Sequence, residues 1–280
     1  MKILSLQSAV AFGHVGNSAA VFPLQRLGFE VWPVDTVQFS NHTGYGQWGG
    51  SALAPDHIHA VVDGLSRIGA LAECNAVLSG YLGEARTGAA VMEAVERVHR
   101  QNHHAIYLCD PVMGDDDALY VREDIPGFFT HHALPAATVV TPNRFELELL
   151  TGRQVHDLAQ AVIAGRTLLD RGPRVVVVSS LHDGASVSCV VVTKDGAWAV
   201  RTPYLPFKPS ISGTGDTLAA LLLAHLLRGE APPEALSLAV SSLYGVLEKT
   251  RTLGRRELAL IQAQDEIALP SRLFAPLPVS

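Results

Sequence analysis

Short apolar runs alternate along the chain with longer stretches in which apolar residues recur at helical spacing. The short runs predict buried strands, and the longer stretches, bounded by Gly, Pro and Asn, predict helices. Such alternation is typical of a mainly parallel sheet covered by helices on both faces. The predicted strands are "KILSLQS", "EVWPVDTV", "NAVLSGYL", "AIYLCDPV", "ATVVTPN" and "RVVVVSS", and the predicted helices span 17–27, 55–72, 87–101, 144–150 and 157–171.

The pattern changes after Ser180, where "SVSCVVVTKDGAWAVRTP" contains two β-rich runs around Asp195 and Gly196. Asp-Gly favours a tight hairpin turn, so this segment predicts an antiparallel edge to the sheet. From Thr217 onward the pattern is almost wholly helical. No linker-like or low-complexity segment interrupts the chain. The sequence therefore predicts one α/β domain over residues 1–280, a three-layer α/β/α sandwich with a mainly parallel central sheet and an antiparallel edge.

Net charge, the length of the apolar runs and the cysteine spacing limit which classes of partner are expected. The formal charge of -6 and the pI near 6.0 provide no basic field for phosphate backbones, so no nucleic-acid partner is expected. The longest apolar run, 218–227, is far shorter than the roughly 20 residues that cross a bilayer, so no membrane partner is expected. The three cysteines form no CxxC pair, which is typical of a reducing compartment and predicts a cytoplasmic protein. Small molecules or another subunit are the expected partners.

Polar residues follow several of the predicted strands. In open parallel sheets, ligands bind beyond the carboxyl ends of the strands, so these positions are candidates for a binding site. Each such residue could equally cap a helix or shape a turn. Their coincidence at one edge of the sheet favours a site. The positions are Gln7 and Ser8, Ser79 to Tyr81, Asp110 and Pro111, Thr141 to Asn143, and Ser179 and Ser180.

The stretch "SGTGDTLAALLLAHLL", residues 212–227, places a glycine-rich turn and a carboxylate at the start of an apolar helix. Glycines let backbone N–H groups converge, and the helix adds its positive end, which together favour a bound phosphate. Asp216 would repel that phosphate unless it has a chemical task or a paired cation. Two interpretations stay open from this segment: an N-cap for the helix, or a general base that accepts a proton from an attacking hydroxyl.

The loop "FSNHTGYGQWG" carries a GxGxxG match at residues 44–49. It does not open directly into a helix, so the dinucleotide-binding interpretation fails. His42 lies in this glycine-flanked, aromatic loop, which is typical of binding segments. No Gly-Lys dipeptide occurs in the chain, which excludes a Walker A cradle for nucleotide phosphates.

The segment "CDPVMGDDDALY" places carboxylates at and beyond a strand end. Hard oxygen ligands of this kind suit Mg²⁺ bound together with substrate phosphates. Asp116 and Asp117 are expected to be solvated loop residues, whereas Asp110 ends an apolar run and should have a partner. Glu146, after Asn143, either complements a helix dipole or holds a metal-bound water.

In order along nearly the whole chain, "LSLQS", "GHVGNSAAVFPLQRLGFEVWPVDTVQFSNHTGYG", "LSGYLG", "CDPVMGD", "TPNRFELELLTG" and "GTGD" resemble the pyridoxal kinase family of the ribokinase-like superfamily. Residues 13–46 resemble pyridoxal kinases specifically, while "GTGD" and "CDPVMG" are shared across the superfamily. The resemblance implies a homodimeric enzyme that transfers the ATP γ-phosphoryl group to the 5'-hydroxymethyl group of pyridoxal, and of pyridoxine or pyridoxamine. It also implies Mg²⁺ and a monovalent cation such as K⁺.

The resemblance assigns expected roles residue by residue. Asp216 is the expected base, and Gly213, Thr214 and Gly215 form the expected anion hole. Ser8 and Thr43 are expected to hydrogen-bond the vitamin, His42 to shape its pocket, and Val15, Phe39 and Tyr81 to provide apolar contact. The expected ATP surroundings are Asp110, Thr141, Asn143, Glu146, Ser179, Thr202, Pro203, Tyr204 and Leu205, and the expected metal contacts are Asp110, Asp115 and Glu146.

The chain departs from the family pattern in three places. Ala9 stands where relatives often have His, the loop 114–120 is short, and no Lys lies near Ser179. Two alternatives remain at this stage. One is a hydroxymethylpyrimidine kinase of thiamine synthesis, whose members typically have "GTGC" where this chain has Asp216. The other is a non-catalytic vitamin B6 binding protein, which the intact "GTGD" turn disfavours.

Overall fold

The computed structural model describes residues 1–115 and 118–279. Within this part of the chain, ten strands form one sheet in the order β12-β11-β10-β9-β8-β5-β4-β1-β2-β3, and two form a separate hairpin, β6-β7. The strands are β1 Lys2–Val10, β2 Glu30–Phe39, β3 Gly50–Ala52, β4 Cys74–Ser79, β5 Ile106–Cys109, β6 Gly114–Asp115, β7 Ala118–Leu119, β8 Val139–Val140, β9 Val175–Asp183, β10 Ser186–Thr193, β11 Gly196–Pro203 and β12 Leu277–Pro278.

Helices cover both faces of the sheet. Those in the described residues are α1 Asn17–Arg26, α2 Pro55–Arg67, α3 Ala85–Gln101, α4 Ile125–Phe128, α5 Leu134–Ala136, α6 Arg144–Thr151, α7 Leu158–Leu169, α8 Thr214–Leu227, α9 Pro232–Thr252 and α10 Gln264–Ala268. Short 3-10 turns span Thr43–Tyr45 and Ala70–Glu73. No helix in the described part of the chain is long and apolar enough to cross a membrane.

The central strands run parallel, from β2 through β1, β4, β5 and β8 to β9. At one end β10, β11 and β12 pair antiparallel, and at the other end β3 pairs antiparallel with β2. The predicted three-layer α/β/α sandwich is therefore confirmed, with antiparallel strands at both ends of the sheet instead of one. The hairpin β10-β11 forms as predicted, with Thr193 paired to Gly196 across the turn.

Two apolar cores lie on opposite faces of the sheet because successive strand residues point to opposite sides. In β1, Leu4 and Leu6 pack in the core under α2, α3, α6 and α7, and Ile3 packs in the other core. That second core contains α1, α8, α9 and α10. Helix α8 is buried continuously from Thr217 to His225, which anchors the turn at its N-terminus.

The predicted boundaries differ from the observed ones where tertiary packing decides. Strand β1 continues to Val10 instead of ending at the predicted polar pair, because β2 extends beside it to Phe39. The C-terminal part is less helical than predicted: α10 ends at Ala268, and β12 pairs with β11 further along. The short strand β3 and the hairpin β6-β7 have too few residues for a period-two pattern to reveal them.

Candidate active site

Polar residues from four parallel strands meet at one edge of the sheet. Ser79 ends β4, Asp110 follows β5, Thr141 follows β8, and Ser179 lies in β9. The backbone N–H of Asp110 donates to Ser79 O at 2.9 Å, and that of Thr141 donates to Cys109 O at 3.2 Å. These side chains therefore share the carboxyl edge, as the strand-end pattern predicts.

Ser8 reaches this edge through an irregularity in β1. The pairing register of β1 with β2 shifts between Gln7 and Ala9, which places Ser8 in a bulge. Ser8 is buried, and a β-carbon at Gly16 would overlap its carbonyl oxygen. Only glycine permits the start of α1 to approach so closely.

The glycine-rich turn sits at the N-terminus of α8. Gly213 is the N-cap residue, with φ +84°, and a β-carbon there would overlap the carbonyl oxygen of His14. Glycine is therefore required by both backbone conformation and space. Asp216 lies inside the first turn of α8, so the N-cap interpretation of this residue is wrong. The residue before it, Gly215, lies close to Asp110, since a β-carbon on Gly215 would be 3.9 Å from Oδ2.

Asp110 is only 4% exposed and accepts a hydrogen bond at Oδ1 from Oγ1 of Thr141 at 2.7 Å. Burial, and next the negative charge of Asp216, raise the pKa of Asp110 to about 7, while the Thr141 hydrogen bond opposes this shift. Burial also raises the pKa of Asp216, against the effect of the backbone N–H groups of Gly16 and of Asp216 itself. The two carboxylates disfavour each other's ionisation.

Glu146 is held at the start of α6 by a capping box with Asn143. Its Oε2 accepts from the backbone N–H of Asn143 at 2.9 Å, and its Oε1 accepts from that of Met113 at 2.8 Å. The Asn143 side chain accepts from Glu146 N and donates to Gly114 O at 2.7 Å. Burial, followed by the charge of Asp110, keeps the pKa of Glu146 well above its ordinary value. The capping box thus fixes a buried carboxylate beside Asp110.

Apart from Ser8 in β1, the residues expected around a vitamin are distributed over four further segments. Phe39 ends β2, Thr43 is exposed in the 3-10 turn, and Val15 is half-buried in the turn before α1. Tyr81 is half-buried after β4, and desolvation raises its pKa. An open cavity of about 650 Å³ beside the loop is lined by Phe12, Ser40, Asn41, Tyr45, Gly46 and Gln47. This cavity adjoins the vitamin candidates but is not lined by them.

The residues expected around ATP are spread over several strand ends. Ser179 donates its backbone N–H to Pro142 O at 3.0 Å and so lies beside the Thr141 to Asn143 turn. Strand β11 ends at Pro203, so Thr202 and Pro203 end the strand, and Tyr204 and Leu205 lie beyond it. Tyr204 packs edge-on against His182, with ring centroids 5.2 Å apart, and Leu205 is buried.

No three His, Cys, Asp or Glu side chains within residues 1–115 and 118–279 converge into an all-protein metal centre. Asp115 is exposed in β6, and Asp116 and Asp117 lie outside the described residues. Both oxygens of Glu146 already accept backbone hydrogen bonds, so this carboxylate suits a metal-bound water better than direct coordination. The buried, mutually repelling carboxylates fit a cation held jointly with substrate phosphates.

Two residues near the site escaped the sequence reasoning. Tyr120 is 54% exposed, yet desolvation and the nearby carboxylates, Glu146 first, raise its pKa. The backbone N–H of Tyr120 donates to Met113 O at 3.1 Å, and that of Met113 donates to Glu146, so Tyr120 lies near the acidic cluster. Glu257 is only 5% exposed and contacts the loop that carries His42. Its sequence signal was a lone acidic residue preceding the apolar run "LALI", which does not specify a site.

Comparison with known proteins adds the family context. A family model described as phosphomethylpyrimidine kinase matches residues 52–260. Pyridoxal kinase PdxY of Deinococcus radiodurans is 50% identical, with 98% of this chain and 95% of the relative covered. The Granulibacter bethesdensis pyridoxal kinase is 45% identical, with 98% of both chains covered. The Leishmania donovani pyridoxal kinase in complex with ADP and pyridoxamine superimposes with a TM-score of 0.94 at 30% identity, covering 100% of this chain and 99% of that one.

Proposed function

Because the chain belongs to the pyridoxal kinase family, we propose that it transfers the γ-phosphoryl group of ATP to the 5'-hydroxymethyl group of pyridoxal, with Asp216 as the base. The product is pyridoxal 5'-phosphate, and pyridoxine and pyridoxamine are further substrates. The observation that carries the role of Asp216 is its position in the first turn of α8, directly after the glycine turn and close to Asp110.

The substrate assignment rests on the part of the chain outside the family model. Residues 13–46, which resemble pyridoxal kinases specifically, precede the matched range 52–260. Pyridoxal kinases of Deinococcus radiodurans and Rubrobacter xylanophilus cover 98% of this chain, and Leishmania donovani structures contain ADP with pyridoxamine or pyridoxine. The hydroxymethylpyrimidine kinase and the non-catalytic binding protein are therefore not favoured.

Proton transfer falls to Asp216. Burial raises its pKa, which makes it a stronger proton acceptor than an exposed aspartate once it is ionised. The backbone N–H of Gly16 donates to this carboxylate and helps to orient it. The base removes the proton from the 5'-hydroxyl as that oxygen bonds to the γ-phosphorus and the bond to ADP breaks.

The glycine turn supplies the anion hole. Gly213, Thr214 and Gly215 present backbone N–H groups at the positive end of α8, where negative charge develops on the transferred phosphoryl group. The close approach of Gly213 to His14 holds the turn in place before any substrate binds. Such preorganisation stabilises the transition state without reorganisation during the reaction.

Mg²⁺ and a monovalent cation, with K⁺ as the candidate, belong to this proposal. Asp110 would contact Mg²⁺, Glu146 would hold a coordinated water, and Asp115 would add a contact from β6. The metal would neutralise charge on the ATP phosphates and on the buried carboxylates. The remaining nucleotide contacts are proposed at Thr141, Asn143, Ser179, Thr202, Pro203, Tyr204 and Leu205.

The vitamin pocket is proposed from the resemblance and the placement of its residues. Ser8, in its bulge, and Thr43 would hydrogen-bond the pyridine substituents, and His42 would shape the pocket between them. Val15, Phe39 and Tyr81 would contact the ring. The protein is further proposed to act as one kinase domain over residues 1–280, as a cytoplasmic homodimer, without a nucleic-acid or membrane partner.

The deciding experiment is ATP-dependent phosphorylation of pyridoxal by the purified protein, with and without Mg²⁺, beside hydroxymethylpyrimidine as competitor. Asp216→Asn is the matched variant, because it keeps shape and removes the base. We expect Mg²⁺-dependent turnover that prefers pyridoxal, and a loss of about 10²- to 10⁴-fold in kcat for the variant. Turnover of the pyrimidine alone would overturn the substrate assignment, and a near-normal rate for the variant would remove Asp216 from the base role.

A further inference from the structure

Glu257 is a buried carboxylate outside the glycine turn 212–215, and it connects the loops around the proposed vitamin pocket. Glu257 lies between α9 and α10 and is 5% exposed. Its Oε1 accepts from the Tyr45 hydroxyl at 2.7 Å and lies 3.3 Å from Nε2 of His42, and its Oε2 accepts from the backbone N–H of His14 at 3.1 Å. A buried carboxylate is costly unless such donors satisfy it.

The contacts of Glu257 fix the orientation of the His42 ring. A carboxylate can only accept, so Nε2 of His42 carries the proton that points to Oε1. In the neutral ring, Nδ1 is then the acceptor, and the hydroxyl of Ser212 lies 3.4 Å from it. Glu257, His42 and Ser212 thus form a chain that ends beside the glycine turn.

The carboxylate of Glu257 also packs against the backbone segment that precedes α1. A β-carbon at Gly13, with φ +95°, would overlap Oε2 of Glu257, so the backbone before α1 packs directly on the carboxylate. The next residue but one along that segment, Val15, is a vitamin candidate, and the carbonyl of His14 packs on Gly213. Displacement of Glu257 would therefore move vitamin contacts and the anion hole relative to each other.

Tyr45 shows how firmly the loop is held. Its ring lies 4.8 Å from the His42 ring, and the Arg256 guanidinium stacks 3.6 Å from its centroid. Arg256 also donates to Gly44 O at 3.3 Å. Two consecutive residues of the C-terminal segment, Arg256 and Glu257, thus hold both ends of the 3-10 turn that carries Thr43.

We propose that Glu257 is a positioning residue for vitamin recognition, which orients His42 and Tyr45. Through them it keeps the loop 39–49, the vitamin loop, in place against the glycine turn 212–215. This inference rests on the proposed function, since it requires the loop to bind the vitamin. The hydrogen-bonding contacts of Glu257 are with His14, His42 and Tyr45, so it acts through these residues. Its loss should affect pyridoxal far more than ATP.

The test is steady-state kinetics of Glu257→Gln with pyridoxal and ATP varied separately. Gln keeps the shape of the side chain but replaces one carboxylate oxygen by an amide N–H₂ group, which cannot accept the hydrogen bonds that this oxygen now accepts. We expect the KM for pyridoxal to rise about tenfold or more, with the KM for ATP changed less than about twofold. Glu266→Gln is the matched control, because Glu266 also accepts from a backbone N–H and a hydroxyl, both of Ser271, and should leave both constants unchanged.

The outcomes separate this inference from the function on which it depends. No pyridoxal turnover by the wild-type protein would overturn the proposed function itself. Normal wild-type turnover with an unchanged pyridoxal KM in Glu257→Gln, or equal rises in both KM values, would overturn the role of Glu257. If Glu257→Gln does not fold, Tyr45→Phe decides: a pyridoxal-selective rise of about threefold or more supports the inference, and no rise overturns it.

Discussion

Carboxylates at this site share one physical condition, which is burial beside another negative charge. The pKa values of Asp110, Glu146 and Asp216 are all raised, with desolvation as the largest cause in each case. Sequence could locate these residues, because each follows a strand or a glycine turn. Sequence could not show that both carboxylate oxygens of Glu146 accept hydrogen bonds from backbone N–H groups, because those bonds depend on the path of residues 110–114.

The role proposed for Thr43 can be tested at the same scale. Thr43→Ala removes one hydroxyl from an exposed turn and should leave the fold intact. We expect the KM for pyridoxal to rise about 3- to 10-fold, the usual effect of one lost hydrogen bond, with the KM for ATP unchanged. Thr43→Ser is the control that retains the hydroxyl, and equal losses for both substrates would contradict the placement.

Helix α8 carries the glycine turn and Asp216 at one end and a buried imidazole near the other. His225 is 6% exposed, and within the described part of the chain its Nε2 has no hydrogen-bond partner. Burial, and next the charge of Arg228, lower the pKa of His225 to about 4. The ordinary pKa of His is near 6.5, so between pH 6.5 and pH 4 this side chain is protonated in the unfolded chain but neutral in the folded protein. The free energy of unfolding therefore decreases as the pH falls through that window.

His225→Gln should therefore reduce the acid sensitivity of the fold. We expect the drop in Tm between pH 7 and pH 5 to be smaller than in the wild type by about 2–4 °C. Differential scanning calorimetry at the two pH values measures this difference. His103→Gln is the control, because His103 is exposed and should leave the drop unchanged. An identical drop in wild type and His225→Gln would show that the buried imidazole does not contribute.

At the element scale the sequence predicted most helices and strands, and the errors have physical causes. Helix α3 begins at Ala85, two residues before the predicted start, since backbone contacts and not a side-chain cap define its first turn. The predicted strand 105–112 shrinks to β5, because Asp110 and the residues after it turn into the site. A long apolar or β-rich run reveals an element, whereas the point at which the chain leaves the sheet depends on its neighbours.

For the whole molecule, an exposed apolar edge lies beside the vitamin loop. Strand β3 is exposed at the end of the sheet, with Trp48 50% exposed and Phe12 59% exposed nearby. Native proteins usually protect open edge strands, and exposed clusters of aromatic side chains often mark a protein–protein interface. We therefore expect this edge to lie in the interface of the proposed homodimer, a surface that no sequence pattern within one chain could reveal.

Light scattering of the purified protein tests that assembly. We expect a mass about twice the 29.9 kDa of the chain, and partial dissociation when Trp48→Glu places a charge in the aromatic edge. Leu269→Glu is the control, since Leu269 is 80% exposed on the C-terminal segment and should not alter the mass. A wild-type protein that stays monomeric at micromolar concentration would contradict the dimer.

The continuous burial of α8 has a consequence for how this enzyme can evolve. The glycine turn and Asp216 are attached to a helix whose body belongs to the core, so they can move apart only when much of that core unfolds. The vitamin loop is attached by a few side chains from the C-terminal segment. Substitutions at loop positions outside the contacts of Glu257 can change vitamin preference while the glycine turn stays anchored in the core.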